Sequence, residues 1–471
     1  MTSKRSGALL VALVLAAAAS LALADAPPEP APRKNPASPE RILLTVSVDP
    51  TRSQVVTWRT RVPVADPVAQ IAPARSETDF HEKAVSVKAV SESLKTDKGE
   101  TVYHHVALFR DLAPDTAYGY RVGGEKAWSE WFTIRTASDK PDPFRFLYIG
   151  DMQNGIFSHC SRTVRQAFRK APDARLVLFA GDLVAEGYDD ALWGEFCDAL
   201  GFIGSETAVM ASPGNHDMHA LPDWITSKKM DSVAPTWRAH FCFPANAPEG
   251  IAELKDEAFY FDYQGVRFIS LSTAVFSSSA FREEKREAIR KAQLAWLEDL
   301  LARNHSHWVV VLMHYPVFSA GKDRDNPEMR DLLLPLFDKY GVDLVLQGHD
   351  HVYARTHKLH GGKVAGPSAP GTVYVISAGG FKTYPVNPRH KGLMAVLDSG
   401  RQYYQVIDVS PERLEYRSYA VDGQLNDAFR LEKNASGPST FIDLSGGRGA
   451  KPKPGAEGTP PEGAQSGRPA A

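Results

Sequence analysis

Cysteine is nearly missing from this chain: Cys160, Cys197 and Cys242 are the only three in 471 residues, with no Cys-x-x-Cys among them. That spacing argues against a thiolate metal site. It leaves one disulfide at most, with its pairing undetermined. Net charge is equally scarce, since 54 basic residues face 56 acidic ones for a formal charge of −2. No broad basic field therefore invites nucleic acid or an anionic membrane, and any attraction for an anion has to be local. After residue 24 there is no apolar run long enough to span a bilayer.

The one long apolar run, 8–24, follows Lys4 and Arg5 and ends at Ala22-Leu23-Ala24 or Ala24-Asp25-Ala26. Basic residues, an apolar stretch and a small-residue cleavage site make a secretory signal rather than a retained anchor. Residues 1–24 are therefore expected to be removed, and the mature protein to be exported, periplasmic or secreted. A Pro-rich tether, 25–39, follows. From 40 to 137 the chain shows strand-like runs at 42–48, 54–60, 104–108 and 116–122, Pro or Gly turns between them, and no helix. Such spacing predicts an all-β sandwich of about 100 residues. From 143 to 420 apolar runs alternate with helical stretches, among them 285–302 with Leu294, Leu297, Leu300 and Leu301 on one face. This predicts an α/β domain of central sheets flanked by helices, where ligands bind at the carboxyl ends of strands. Periodicity fades beyond Tyr419, and the Gly/Pro/Ala-rich 433–471 reads as a disordered tail.

Five segments end these apolar runs in metal-type donors. They are Gly150-Asp151-Met152-Gln153, Gly181-Asp182, Gly214-Asn215-His216-Asp217, Val311-Leu312-Met313-His314 and Gly348-His349-Asp350-His351. Taken singly, Asp151 and Asp182 read equally well as helix N-caps, Asn215 as a turn cap and His314 as a buried hydrogen-bonded histidine. Together, aspartates, an amide and three histidines suit two divalent cations of the Mn, Zn or Fe type held about 3.5–4 Å apart. One carboxylate has to bridge them, and Asp182, at the tip of the second strand, is the natural choice. Asp151 and His351 then serve one metal, and Asn215, His314 and His349 the other. A water between such ions is a nucleophile at neutral pH. His216 is placed to protonate the departing alkoxide, with Asp217 as its orienting partner.

With these residues the chain resembles the metallophosphoesterase (calcineurin-like phosphoesterase) superfamily. Its two-module layout resembles the purple acid phosphatase branch, over about residues 40–420. The segments 259–269 and Gln293-Leu294-Ala295-Trp296-Leu297 are typical of that scaffold, and 112–118 looks like the tyrosine corner of a fibronectin type III module, with Trp58 as the core tryptophan. The resemblance implies phosphomonoester hydrolysis of a small substrate. Cleavage of phosphodiesters, such as nucleotides or glycerophosphodiesters, would use the same core, and a surface binding protein with a degenerate centre is the reading from another class. Two positions depart from the family. The purple enzymes carry a metal-binding Tyr three residues after the bridging Asp, where this chain has Ala185, with Tyr188 further on. The non-purple relatives have Asp-x-His where it has Gln153, an amide expected to be a weaker ligand of the Asp151/His351 metal. An enzyme without the purple absorption band is the expectation.

Overall fold

Alternating burial decides the first module. In the computed structural model, which describes residues 35–124, 127–218, 232–276, 283–435 and 437–446, the strands Glu40–Thr45, Gln54–Thr60, Val90–Lys95 and Thr101–Phe109 pair antiparallel. They face a second sheet built from Val68–Pro73, Val85–Lys88, Ala117–Gly124, Ala127–Trp128 and Phe132–Arg135. Leu44, Val56, Trp58, Ile71, Tyr120 and Ile134 fill the space between. The Tyr118 hydroxyl accepts the Ala113 N–H at 2.8 Å and fastens the bend that leads into its own strand.

This module does not close on itself. Thr45 pairs in parallel with Val209, so Glu40–Thr45 continues the sheet of the following domain. The row of N–H and C=O groups that an edge strand would leave open is used at this junction. Eleven strands result in one sheet. It runs from Thr440–Asp443 through Leu425–Glu432, Arg413–Ala420, Tyr403–Val409, Phe144–Ile149, Leu176–Phe179 and Ala208–Ala211 into the first module. Side chains lock the same junction: the Asp190 carboxylate lies 2.9 Å from Arg41 and 2.7 Å from Arg59.

Packed against the large sheet is a seven-stranded one of Phe259–Tyr263, Val266–Leu271, Trp308–Met313, Leu344–Gln347, Val373–Ile376, Tyr353–Thr356 and Met394–Asp398. Leu176–Phe179 and Trp308–Met313 are buried along their whole length, as parallel strands covered on both faces must be, which is why they read as unbroken apolar runs. Phe146 from one sheet meets Phe268 from the other edge-on at 5.3 Å. Ser161–Lys170, Asp190–Leu200, Glu283–Ala302 and Pro327–Tyr340 are the long helices among the described residues. Asp189 caps the second of them by accepting the N–H groups of Ala191 and Leu192.

One expectation is corrected. The disordered tail does not begin at 433, because Thr440–Asp443 forms a strand on Leu425–Glu432. An ion pair holds it there: the buried Asp427 pairs with Arg355 at 2.6 and 2.9 Å, and the exposed Asp443 adds a bond to Arg355 at 2.9 Å. Charged residues facing inward break the polar/apolar alternation that marks a strand in sequence. Cysteine pairing, left open by the sequence, is answered here, since all three cysteines are free thiols. Residues 1–34, with the signal and most of the tether, lie outside the described residues, as do 447–471 of the tail. No helix among the described residues is long and apolar enough to cross a membrane.

Candidate metal centre

Every candidate donor stands just beyond a strand end, and the two sheets bring these ends together. Asp151 follows Phe144–Ile149, Asp182 follows Leu176–Phe179 and Asn215 follows Ala208–Ala211; His314 follows Trp308–Met313, and His349 and His351 follow Leu344–Gln347. Four of these residues turn the chain through the left-handed region, with φ of 41° at Asp151, 50° at Asp182, 71° at His349 and 51° at His351. Each such turn costs a non-glycine residue on the order of 1 kcal/mol, and such strain persists where surrounding contacts over-determine it. The Asp151 carboxylate accepts the His349 N–H at 2.9 Å, and the Gln153 N–H donates to the Asp182 carbonyl at 2.9 Å. Glycine is required beside them. A Cβ on Gly348 would lie 2.7 Å from both the Ala180 carbonyl and Asp151 Oδ2, and one on Gly214 would lie 2.1 Å from Asp182 Oδ1.

Asp217 does not orient His216. Its buried carboxylate accepts the backbone N–H groups of Asp182 (2.9 Å), Leu183 (3.0 Å) and Gly214 (2.8 Å). It therefore ties the loop of Asp182 to the loop of Asn215. The imidazole of His216 is instead held by the Ala185 carbonyl, 2.7 Å from Nδ1. The sequence pattern placed the two residues side by side, but their side chains point to different partners.

The donor atoms fall into two groups. Asp182, His314 and His349 form one, Asp151, Asp182 and His351 the other, each with ligand atoms within 4.8 Å of one another. Asn215 joins the first, its Oδ1 lying 3.3 Å from His314 Nε2. Gln153 sits inside the second, with Nε2 at 2.8 Å from Asp182 Oδ2 and 3.0 Å from His351 Nε2. His314 Nδ1 faces the Ala180 carbonyl at 2.7 Å and His351 Nδ1 the Lys382 carbonyl at 3.1 Å. These bonds fix the tautomers and turn both Nε2 lone pairs toward Asp182, the arrangement that metal-binding histidines need.

The donor set fits a pair of divalent cations. Asp151 Oδ2, in the second donor group, is buried without a hydrogen-bond partner, a state that costs about 1–3 kcal/mol and that a cation would relieve. Titration points the same way. Burial opposes ionisation of Asp182, yet the charges of His314 and His216 outweigh it and hold this carboxyl well below the usual range. Burial, with repulsion from Asp182, pushes Asp151 up. Burial also opposes the charged form of His314, but Asp182 raises it, while burial brings His351 down to about 3. Without cations, facing carboxylates of this kind keep protons; bound metal takes their place.

Around the centre, Tyr315 lies on His349 with ring centroids 4.1 Å apart, Tyr384 meets His351 edge-on at 5.1 Å, and His159 stacks on Phe381 at 4.6 Å. Sequence reasoning missed Arg324 and Lys382, which belong to no motif. Arg324 is ten residues past His314, and only folding returns either one to the histidines.

Comparison with known proteins agrees with this geometry. The calcineurin-like phosphoesterase family matches residues 144–353, and the purple acid phosphatase N-terminal domain matches 39–136. The chain is similar to probable purple acid phosphatase 20 of Arabidopsis thaliana, 26% identical over 55% of this chain and 59% of that protein. It is similar to acid phosphatase type 7 of Danio rerio, 26% identical over 72% and 80% respectively. Purple acid phosphatase 21 of Arabidopsis thaliana is 29% identical, over 57% of this chain and 56% of that protein, so the chain spans under two thirds of the two Arabidopsis relatives. In fold it is similar to a purple acid phosphatase from yellow lupin seeds, with a TM-score of 0.69 at 19% identity over 85% of this chain and 76% of the other. Two donor groups sharing one aspartate at the strand ends, behind an N-terminal β module, thus belong to a chain that carries a calcineurin-like phosphoesterase domain after a purple acid phosphatase N-terminal domain.

Proposed function

We propose that this chain is an exported phosphatase that hydrolyses phosphomonoesters at a two-metal centre. The observation that supports it most is Asp182, common to both donor groups. Asp151, Gln153 and His351 with Asp182 would hold one ion, and Asn215, His314 and His349 with Asp182 the other. When bound, such a pair supplies Lewis acidity and brings the pKa of a coordinated water toward neutrality. The chain's own residues supply the rest. Asp217 holds the Asp182 and Asn215 loops in register as a positioning residue. His216, with Nδ1 at the Ala185 carbonyl, exchanges a proton at Nε2 and delivers it to the departing oxygen. Gln153 would turn its amide oxygen to the metal, since amide oxygen and nitrogen are assigned from their hydrogen bonds.

Metal identity follows from the same residues. At position 185 there is only a backbone carbonyl, used by His216, and Tyr188 lines a cleft of about 890 Å3 between the two modules, beside Val233, Pro235 and Phe241. Burial raises its phenol pKa, which disfavours a phenolate ligand. The expected protein is colourless, with Mn, Zn or Fe(II) rather than a stable Fe(III). Metal analysis, a visible spectrum and paired nitrophenyl mono- and diesters over a pH series test this together. Monoester preference without a visible band is the expected result. An intense band lost on replacing Tyr188 overturns the metal assignment, diester preference shifts the substrate class, and inactivity with every divalent ion favours a binding protein.

Export rests on the N-terminal pattern alone. N-terminal sequencing of the protein from the periplasm or medium should start after Ala24 or Ala26, and an intact Met1 would refute it.

A further inference from the structure

We propose that Arg324, Lys382 and Tyr384 form an anion subsite beside His351 that takes a second phosphoryl group, so that the enzyme prefers esters with two linked phosphoryl groups over those with one. The inference rests on the phosphatase reading above. Both cations lie over the same ring, Arg324 Cζ at 5.0 Å and Lys382 Nζ at 5.5 Å from the Tyr384 centroid. That ring meets His351 edge-on. The backbone puts all three residues against the metal donors. Arg324 Nη1 donates to the His349 carbonyl, Lys382 offers its carbonyl to His351 Nδ1, and the Tyr384 N–H donates to the His351 carbonyl at 3.2 Å.

The two cationic loops brace each other. The Lys322 N–H donates to the Pro385 carbonyl at 2.8 Å and the Asn387 N–H to the Ala320 carbonyl at 2.6 Å; Asn387 Nδ2 adds a bond to the Arg324 carbonyl at 3.1 Å. Asp350 offsets Arg324 only in part. Its Oδ1 lies 3.7 Å from Nη1, while Oδ2 takes the N–H groups of Ala320 and Gly321. Lys382 has no carboxylate partner among the described residues. Like charges gathered at one ring repel, and an anion that binds both removes that cost. The Arg324 side chain is 27% exposed, so such an anion can reach it.

The fit is to a phosphoanhydride. With the terminal phosphoryl at the Asp182 donors, the next phosphoryl falls toward Arg324 and Lys382. Water forms the new P–O bond, the bridging P–O bond breaks, and a proton from that water ends on the departing phosphoryl oxygen. No further reactant is needed. Charge developing on the departing oxygen meets preorganised cations, where they are most effective.

The test uses the full-length metal-loaded protein with ADP and AMP, which share one organic group. Wild type should show kcat/KM for ADP above that for AMP by roughly tenfold, the value of a charge-assisted contact. Lys382→Ala should bring the ratio toward one, and Lys382→Arg should restore it. A wild-type ratio near one, or one indifferent to Lys382→Ala at equal metal content, overturns the subsite. If AMP, ADP and p-nitrophenyl phosphate all resist hydrolysis, the phosphatase reading fails on its own. Calorimetry with inorganic pyrophosphate and orthophosphate then decides: tighter pyrophosphate binding that depends on Lys382 supports the subsite, and equal binding refutes it.

Discussion

Asp182→Asn should abolish activity and strip metal from both sites at once. Among the described residues, Asp182 alone is common to the two donor groups. Its Oδ2 lies 3.3 Å from His314 Nε2 on one side and 2.8 Å from Gln153 Nε2 on the other. Asparagine keeps the shape but loses the charge, and it offers one oxygen where two cations need to share a carboxylate. Metal-supplied stabilisation amounts to several kcal/mol, so a fall in kcat of ~10³-fold or more is expected. The paired measurement is metal per chain by elemental analysis, with circular dichroism to show that the fold survives. Retention of both metals with turnover near wild type would falsify the bridging role. Loss at one donor group alone would place the bridge elsewhere.

His216→Ala should separate chemistry from metal binding. The ring belongs to neither donor group, is held by the Ala185 carbonyl at 2.7 Å, and shares its loop with Asn215. If it protonates the departing oxygen, its loss lowers kcat by about 10²–10⁴-fold while metal content stays at the wild-type level. The loss should be largest for alkyl phosphates, whose alkoxides leave poorly, and smallest for p-nitrophenyl phosphate. A loss independent of the leaving group, or one matched by loss of metal, would assign His216 to structure instead. Asp217 provides the contrast: it ties Asp182, Leu183 and Gly214 together through their N–H groups. Removing it should therefore disturb metal content first.

The donors were legible in sequence because each ends an apolar run, and buried strands in an α/β domain have to be apolar throughout. Gly214 and Gly348 are explained only by the structure, since a carboxylate or carbonyl approaches where a side chain would stand. What was not legible depended on contacts between residues far apart in the chain. Thr440–Asp443 escaped notice because its pairing is supported from far along the chain, by the buried Arg355–Asp427 pair to which the exposed Asp443 adds a bond. The sharing of one sheet by the two modules escaped too, since a single parallel pairing, Thr45 with Val209, carries it. The direction of the Asp217 carboxylate, away from its sequence neighbour His216, followed from which backbone N–H groups lay open across the gap.

By itself, then, the chain determined the local chemistry: which residue types stand at which strand ends, and that they suit two cations sharing a carboxylate. Only the tertiary structure decided how that chemistry is framed, by placing Arg324 and Lys382 over Tyr384 and giving His216 to a backbone carbonyl. The physical reason is range. Burial and backbone geometry act within a few residues and leave a pattern in sequence, whereas a charge or hydrogen-bond partner brought from far along the chain leaves none.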